Sequence, residues 1–163
     1  MFCAPIPTNL GTFSAVFTDQ GLAEVKFPGH GERSEGERAT REQLEWLDTA
    51  TDAINTILAG RRPRVLPPLD WTEATEFQRR VWKALQSIPM GETREYADLA
   101  RDLGCPGAAR AVGQACGANP IPVLVPCHRV LAAGGTLGGF TAGIEWKRRL
   151  LALEGCHPAR HRR

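Results

Sequence analysis

Apolar and polar residues alternate over 12–17 (TFSAVF) and again over 22–27 (LAEVKF), on either side of Thr18-Asp19-Gln20-Gly21. A period of two interrupted by four turn-forming residues predicts a β-hairpin. Residues 28–39 are rich in Gly, Glu and Arg and read as a solvated loop. The period then changes. Thr40-Arg41-Glu42-Gln43 fits a capping box, in which the Thr hydroxyl and the Gln side chain each satisfy the other's backbone N–H. Behind it Leu44, Leu47, Ile54, Ile57 and Leu58 recur at helical spacing until Gly60. Residues 1–65 therefore read as a small α/β domain.

The pattern lapses over 61–70 (RRPRVLPPLD), which carries three prolines, and a linker is expected at 66–75. A second capping box, Thr75-Glu76-Phe77-Gln78, opens a helix with Phe77, Val81, Leu85 and Ile88 on one face; Pro89-Met90-Gly91 stops it. Thr93 is the expected cap of a next helix to 103, with Tyr96, Leu99, Ala100 and Leu103 in register. Gly104-Cys105-Pro106-Gly107 is a tight turn, and an Ala-rich helix is expected over 107–117. Residues 121–125 (IPVLV) read as extended and buried, 134–143 (GGTLGGFTAG) as a Gly-rich loop, and 144–154 as a last helix that places Ile144, Leu150, Leu151 and Leu153 around it. Lys147, Arg148 and Arg149 read as its solvated part. Residues 76–157 thus form a mostly helical second domain, followed by a flexible tail at 158–163.

Composition narrows the class. At 163 residues, 42% hydrophobic and 23% charged, the chain has the makeup of an ordinary globular protein. No apolar run approaches the roughly 20 residues of a membrane span. The start, MFCAPIPTNLGTF, lacks the basic and apolar regions of a signal peptide, so a cytoplasmic location is expected, or a nuclear one in a eukaryote. Charge is uneven: residues 1–70 hold 7 Lys/Arg against 10 Asp/Glu, residues 71–163 hold 13 against 8. A basic second half points to an anionic partner. The five cysteines, Cys3, Cys105, Cys116, Cys127 and Cys156, are odd in number and form no CxxC. Neither a disulfide framework nor a zinc ribbon is indicated, and no metal is expected, since the first half offers only Cys3 and His30 as soft ligands.

Two features carry chemistry. The helices expected at 93–103 and 107–117, joined by a short Gly turn, have the form of a helix-turn-helix, whose second helix approaches DNA. That helix, GAARAVGQACG, presents small residues, among them Ala109 and Gly113, around one long cation, Arg110. It suits close approach to a backbone or minor groove better than base-edge readout, which takes several Arg, Asn or Gln. The second feature is Pro126-Cys127-His128-Arg129-Val130. A neighbouring base or cation favours the thiolate and makes a cysteine a strong nucleophile. Adjacent residues on a straight strand face opposite ways. Cooperation between Cys127 and His128 thus needs a bend or helical turn there, or a bridging water. A third group should orient the imidazole; Glu154 is a candidate that spacing alone cannot place. Arg129 reads as an ion-pairing residue outside the catalytic set.

Taken together, these residues and those between them resemble the O-6-alkylguanine-DNA alkyltransferases, also called methylated-DNA–protein-cysteine methyltransferases. The resemblance rests on Phe77-Gln78-x-x-Val81-Trp82, Ile88-Pro89-x-Gly91-Glu92-Thr93, Tyr96-x-x-Leu99-Ala100, Ala108-Ala109-Arg110-Ala111-Val112-Gly113, Asn119-Pro120, Pro126-Cys127-His128-Arg129-Val130, Lys147-x-x-Leu150-Leu151 and Glu154-Gly155. It runs from about 75 to 155 in the family's order. It implies a ribonuclease-H-like first domain and a winged-helix-like second one, double-stranded DNA carrying O-6-alkylguanine as partner, no cofactor, and action as a monomer able to cluster on DNA. Cys127 would accept the alkyl group once and irreversibly. His128 would take its proton through a water, and Glu154 would hold His128. Asn119 would brace the segment. Tyr96 would help rotate the nucleotide out and donate a proton to the departing guanine. Arg110, with Ala109 and Gly113 beside it, would bind DNA and fill the gap in the duplex. Val130, Phe140, Thr141, Ala142 and Gly143 would line the base pocket.

Three positions depart from the family pattern: Ala142 stands where Gly is usual, Phe140 where Tyr is common, and Met90 where an aromatic is frequent. The added methyl at 142 is expected to narrow the pocket toward small adducts. The principal alternative is a lesion-sensing DNA-binding protein of the same fold without chemistry, which the presence of Cys127 disfavours. A cysteine hydrolase built on Cys127 and His128 leaves the helix-turn-helix unexplained. An alkylation-responsive regulator would need a further metal-bound acceptor domain, for which 163 residues leave no room.

Overall fold

The computed structural model describes residues 1–31 and 36–158. The expected tail beyond 158 and residues 32–35 of the loop expected at 28–39 lie outside the described residues. Two units emerge: Met1–Glu73 with Pro120–Leu124, and Ala74–Asn119 with Val125–Arg163.

The first unit is a three-stranded antiparallel sheet, β1 (Phe2–Thr8), β2 (Gly11–Phe17) and β3 (Leu22–Lys26) in that order, with α1 (Arg41–Leu58) packed on β1. Alternation on β2 sends Phe13, Ala15 and Phe17 inward, beside Ala4 and Ile6 of β1 and Leu22 and Val25 of β3, all buried. The hairpin turn closes with Thr18 N–H donating to the Gly21 carbonyl at 2.9 Å. Strand β1 has no counterpart in the sequence reading. Its Pro5 and Pro7 argue against a central strand, but β1 is an edge strand, where a missing N–H can face away from the ladder.

Both bonds of the Thr40–Gln43 capping box form. At Gln43 and Leu44 the expected burial fails. Leu44 is exposed, while Gln43 is buried and donates through Nε2 to the Thr18 carbonyl at 2.9 Å. Ala50, Ala53, Ile54, Ile57 and Leu58 make the inner face instead. Part of the stretch expected as a linker is fixed against β3: Leu22 N–H donates to the Pro68 carbonyl and Asp70 N–H to the Leu22 carbonyl, each at 2.8 Å. The approach is close enough that a Cβ on Gly21 would lie 2.4 Å from the Pro68 oxygen. Residues 120–124 join this unit, with Val25 N–H donating to the Pro120 carbonyl at 2.8 Å. Ile121, Val123 and Leu124 are buried, as expected, but residues 120–124 are not extended. They run in successive turns, and Val123 sits at φ +73°.

The second unit comprises α2 (Glu76–Gln86), β4 (Arg94–Glu95), α3 (Tyr96–Asp102), α4 (Ala109–Gly117), a 3-10 turn (Cys127–Arg129), β5 (Val130–Leu131), a second 3-10 turn (Ala133–Gly135) and α5 (Ile144–Leu153). The Thr75–Gln78 capping box forms, and α2 buries Val81, Trp82 and Leu85. Trp82 Nε1 donates to the Ala115 carbonyl on α4 at 2.8 Å. Thr93 is not the cap of α3. Arg94 and Glu95 pair in parallel with Val130 and Leu131, so the helix starts after them, with Glu95 N–H donating to Asp98 Oδ2 at 3.2 Å. Helices α3 and α4 pack together across the turn at 103–108, where Gly104 takes φ +75°. No described helix is long and apolar enough to cross a membrane.

Candidate active site

The turn that carries Cys127 begins with a break in the chain's direction. Pro126 adopts φ −82°, ψ 64°, Cys127 N–H donates back to the Val125 carbonyl at 2.8 Å, and Arg129 N–H to the Pro126 carbonyl at 3.1 Å. A 3-10 turn rotates about 120° per residue, so Cys127, His128 and Arg129 point in three directions, where a strand would have alternated them. All three are buried, with His128 at 0% exposure. Asn119 and Val125, at the two ends of the 120–124 segment, are stitched together by Asn119 Nδ2 donating to the Val125 carbonyl at 2.9 Å. The Asn119 side chain also hydrogen-bonds the Cys127 thiol.

Behind the thiol lies a buried charge cluster. His128 Nε2 and Glu154 Oε1 are 2.9 Å apart. Arg129 grips the same carboxylate with two bonds, Nε to Oε2 and Nη2 to Oε1, both 2.9 Å, and its Nη1 donates to the Ile88 carbonyl at 2.7 Å. Glu154 follows the end of α5, and its side chain is 1% exposed. Burial alone would raise its pKa. The hydrogen bonds and charges of His128 and Arg129 overcome that and hold it at about 2. A carboxylate ionised at neutral pH only accepts, so Nε2 of His128 carries the proton and Nδ1 keeps a free lone pair. Nδ1 is buried and makes no hydrogen bond to a described protein group. Burial also pulls the His128 pKa down, aided by Arg129 and Lys147 and opposed by Glu154. The imidazole is therefore neutral at rest and able to take a proton.

The thiol starts protonated as well. Burial pushes the Cys127 pKa up, while the hydrogen bond from Asn119, the charge of Lys147 and backbone N–H groups of the turn pull against it. Lys147 was expected in solvent and is instead fully buried. It donates to the Val130 carbonyl at 2.7 Å and the Gly139 carbonyl at 3.4 Å, and its Nζ lies 5.9 Å from the centre of the Tyr96 ring. Burial lowers its pKa to about 8; the two nearby thiols, Cys127 and Cys116, counter that. Cys116 belongs to this cluster too, its thiol raised to about 12 by burial and by Cys127. Tyr96 is likewise raised to about 12, by burial first and then the two cysteines, so it stays a hydroxyl donor at neutral pH.

The other sequence candidates lie around this core. On α4, Arg110 is exposed, while Ala109 and Gly113 are half-buried. A Cβ on Gly113 would sit 3.9 Å from the Tyr96 ring, so the ring lies directly beneath the small-residue stripe. Val130 is buried in β5. Thr141 donates to the Gly117 carbonyl at 3.0 Å, tying the Gly-rich loop to the end of α4. Phe140 and Ala142 are half-buried and Gly143 is exposed at the start of α5 with φ +102°. The structure brings Cys127, His128, Glu154 and Asn119 into one connected set, with Tyr96 tied to it through Lys147. Arg129, Lys147 and Cys116 are the members that sequence reasoning left out. For Lys147 a signal existed: it falls three residues after Ile144 and three before Leu150, on the buried stripe of α5. Among the described residues no three His, Cys, Asp or Glu side chains group as metal ligands.

Comparison with known proteins fits this geometry. Residues 76–156 match the family described as 6-O-methylguanine DNA methyltransferase, DNA binding domain. A methylated-DNA–protein-cysteine methyltransferase of Methanosarcina acetivorans is 38% identical over 155 residues, 95% of this chain and 99% of the relative. One from Mycolicibacterium paratuberculosis is 51% identical over 108 residues, 66% of this chain. The match spans 65% of that relative's own length. An OGT of Mycobacterium tuberculosis, solved in complex with DNA, shares 39% identity and a TM-score of 0.80, covering 93% of this chain and 91% of the other.

Proposed function

Because the chain belongs to the methylated-DNA–protein-cysteine methyltransferase family, we propose that it repairs DNA by moving a methyl or other small alkyl group from O-6-alkylguanine onto Cys127, one group per molecule. The observation that carries this reading is the neutral His128, held through Nε2 by Glu154 with Nδ1 unengaged, on the same helical turn as the thiol. The alkylated oxygen lies inside the base stack and the sulfur lies inside the protein, so the nucleotide must leave the duplex to react. Arg110, on the exposed face of α4, fills the space left behind, and Ala109 and Gly113 let the helix approach the DNA backbone. Tyr96, beneath that stripe, turns the nucleotide outward. Val130, Phe140, Thr141, Ala142 and Gly143 receive the base.

In the transfer, the thiol proton passes through a bridging water to Nδ1 of His128. The sulfur attacks the alkyl carbon, an S–C bond forms and the C–O bond breaks, its electron pair going to guanine. One proton, equivalent to the one taken from the thiol, returns to the base through the Tyr96 hydroxyl. Lys147 favours the thiolate electrostatically, and Asn119 fixes the thiol and the segment before it. The thioether product has no group beside it able to break a C–S bond, which limits each molecule to one event. No cofactor enters, since the alkyl group comes from DNA. The reading extends to O-4-alkylthymine as a poorer substrate, to action as a monomer on double-stranded DNA, and to a cytoplasmic or nuclear setting where chromosomes lie. In finer fold terms, the sheet and α1 support a ribonuclease-H-like first domain over 1–65, and α3, α4 and the β4–β5 pair support a winged-helix-like second domain over 76–157, joined at 66–75.

Incubation with duplex DNA containing O-6-methylguanine, followed by intact-mass measurement, is expected to show one added methyl group on the peptide holding Cys127. Methylation of a Cys127→Ser variant would overturn the site. Tight binding to the lesion with no mass gain would favour a non-catalytic sensor.

A further inference from the structure

Arg129 holds more of Glu154 than an ordinary ion pair requires. It contacts both carboxylate oxygens and a backbone carbonyl, and it shares Oε1 with His128. We propose that Arg129 is a positioning residue for alkyl transfer: by clamping and neutralising Glu154, it keeps His128 in the unprotonated form that can accept the Cys127 proton. The proposal rests on the transfer reading above and adds a residue that acts through Glu154 without touching substrate.

Charge balance decides which proton His128 can take. Arginine stays protonated throughout the accessible pH range, so Arg129 and Glu154 together carry no net charge. Uptake of a proton from solvent by His128 would then add an uncompensated charge to a buried site, which is costly. Transfer of the Cys127 proton to His128 adds none, because the sulfur becomes negative as the imidazole becomes positive. The clamp thus penalises the wrong proton and leaves the right one free to move. Geometry contributes as well. With Oε2 and one side of Oε1 occupied by the guanidinium, Glu154 offers His128 a single acceptor position, which fixes the ring in the Nε2-protonated tautomer. The other groups facing His128 point the same way or are neutral. Lys147 on α5 adds positive charge, Cys127 is a thiol at rest, and α2, which also packs on the turn, has the uncharged Val81, Trp82 and Leu85 as its buried residues.

Removing the guanidinium charge leaves Glu154 alone beside the imidazole, and the pair then binds a proton from solvent. Folded His128 gains affinity for its proton, so the base is lost as pH falls and recovered as pH rises. For Arg129→Gln, the acid limb of the single-turnover rate on methylated duplex DNA is expected to move up by about one pH unit or more. The rate would be down roughly tenfold near pH 6.5 and within about threefold of the parent at pH 9. Arg129→Lys, which keeps the charge and loses the fork, should retain the parent pH profile. Glu154→Gln with Arg129→Gln should be no slower than Glu154→Gln alone, because the two act through one contact. Nitrogen NMR of His128 reads the same state directly: neutral with the proton on Nε2 at pH 7 in the parent, doubly protonated in Arg129→Gln.

A rate loss in Arg129→Gln that is the same at every pH would mean a purely structural brace and overturn the proposal. An imidazolium at pH 7 in the unmodified protein would also overturn it, and this measurement stands even if Arg129→Gln does not fold. Absence of methyl gain by the unmodified protein would instead sink the transfer reading, while the NMR result would still decide what Arg129 does to His128.

Discussion

The outer face of α4 and the buried turn at Cys127–Arg129 serve the proposed repair reaction from opposite ends. The first is nearly bare: small residues around a single exposed cation, Arg110, with the exposed amide of Gln114 as its other long side chain. The second packs Arg129, His128 and Glu154 into a space with almost no solvent exposure, with Lys147 alongside Cys127. A surface that must fit a backbone of any sequence gains from small side chains and long-range charge. A site that must move one proton in a dry interior needs every charge matched at hydrogen-bond distance. The same substitution therefore has very different consequences in the two places.

The sharpest contrast is expected from Glu154→Ala. It leaves the Arg129 guanidinium buried without its carboxylate, a change of the kind that costs about 3–5 kcal/mol; chemical denaturation would measure it. A loss below about 1 kcal/mol would mean that solvent reaches Arg129 and that the cluster is not a sealed one. The same carboxylate sets an acid limit. Its folded pKa of about 2 lies below the ordinary glutamate value of 4.5, so its contribution is present above pH 4.5 and disappears as pH falls from there toward 2. A stability curve flat across that window would contradict the ion-paired geometry. Next in size is Arg110→Ala. It should weaken reaction with duplex DNA about tenfold, roughly 1.4 kcal/mol, and leave reaction with free alkylguanine base nearly unchanged, with no loss of folding stability. Equal losses on both substrates would remove the distinction between surface and interior. The smallest effect belongs to neither region. Thr75→Ala, at the cap of α2, should cost ~1 kcal/mol in denaturant titration and leave the transfer rate unchanged.

Much of this was legible in the residues, and the failures have physical causes. Capping boxes are local, and both formed. The β2–β3 hairpin was announced by alternation and by Gly21. Strand β1 escaped because prolines signal against strands except at a sheet edge, and edge status is a tertiary property. Leu44 and Gln43 exchanged expected places because Gln43 found the Thr18 carbonyl, 25 residues away in sequence. The site was legible in its motif, PCHRV, and the resemblance named Glu154 as the partner of His128; spacing alone could not, since 26 residues separate them. Arg129 was read as ion-pairing, but its partner lies 25 residues on, and Lys147 was read as solvated. A long cation is taken as solvent-facing by default, and only the two backbone carbonyls that Lys147 meets reveal it as interior.

Glu154 has one more consequence, which concerns the making of the protein. It follows the last described helix, whereas the sulfur it serves lies 27 positions earlier in the chain. Synthesis runs from the amino end, so an emerging polypeptide exposes Cys127 before the residue that orients His128 exists. Until α5 docks, the cysteine is an ordinary thiol. On the proposed reading, base-assisted transfer is thereby withheld until the chain past α5 has been made and has docked.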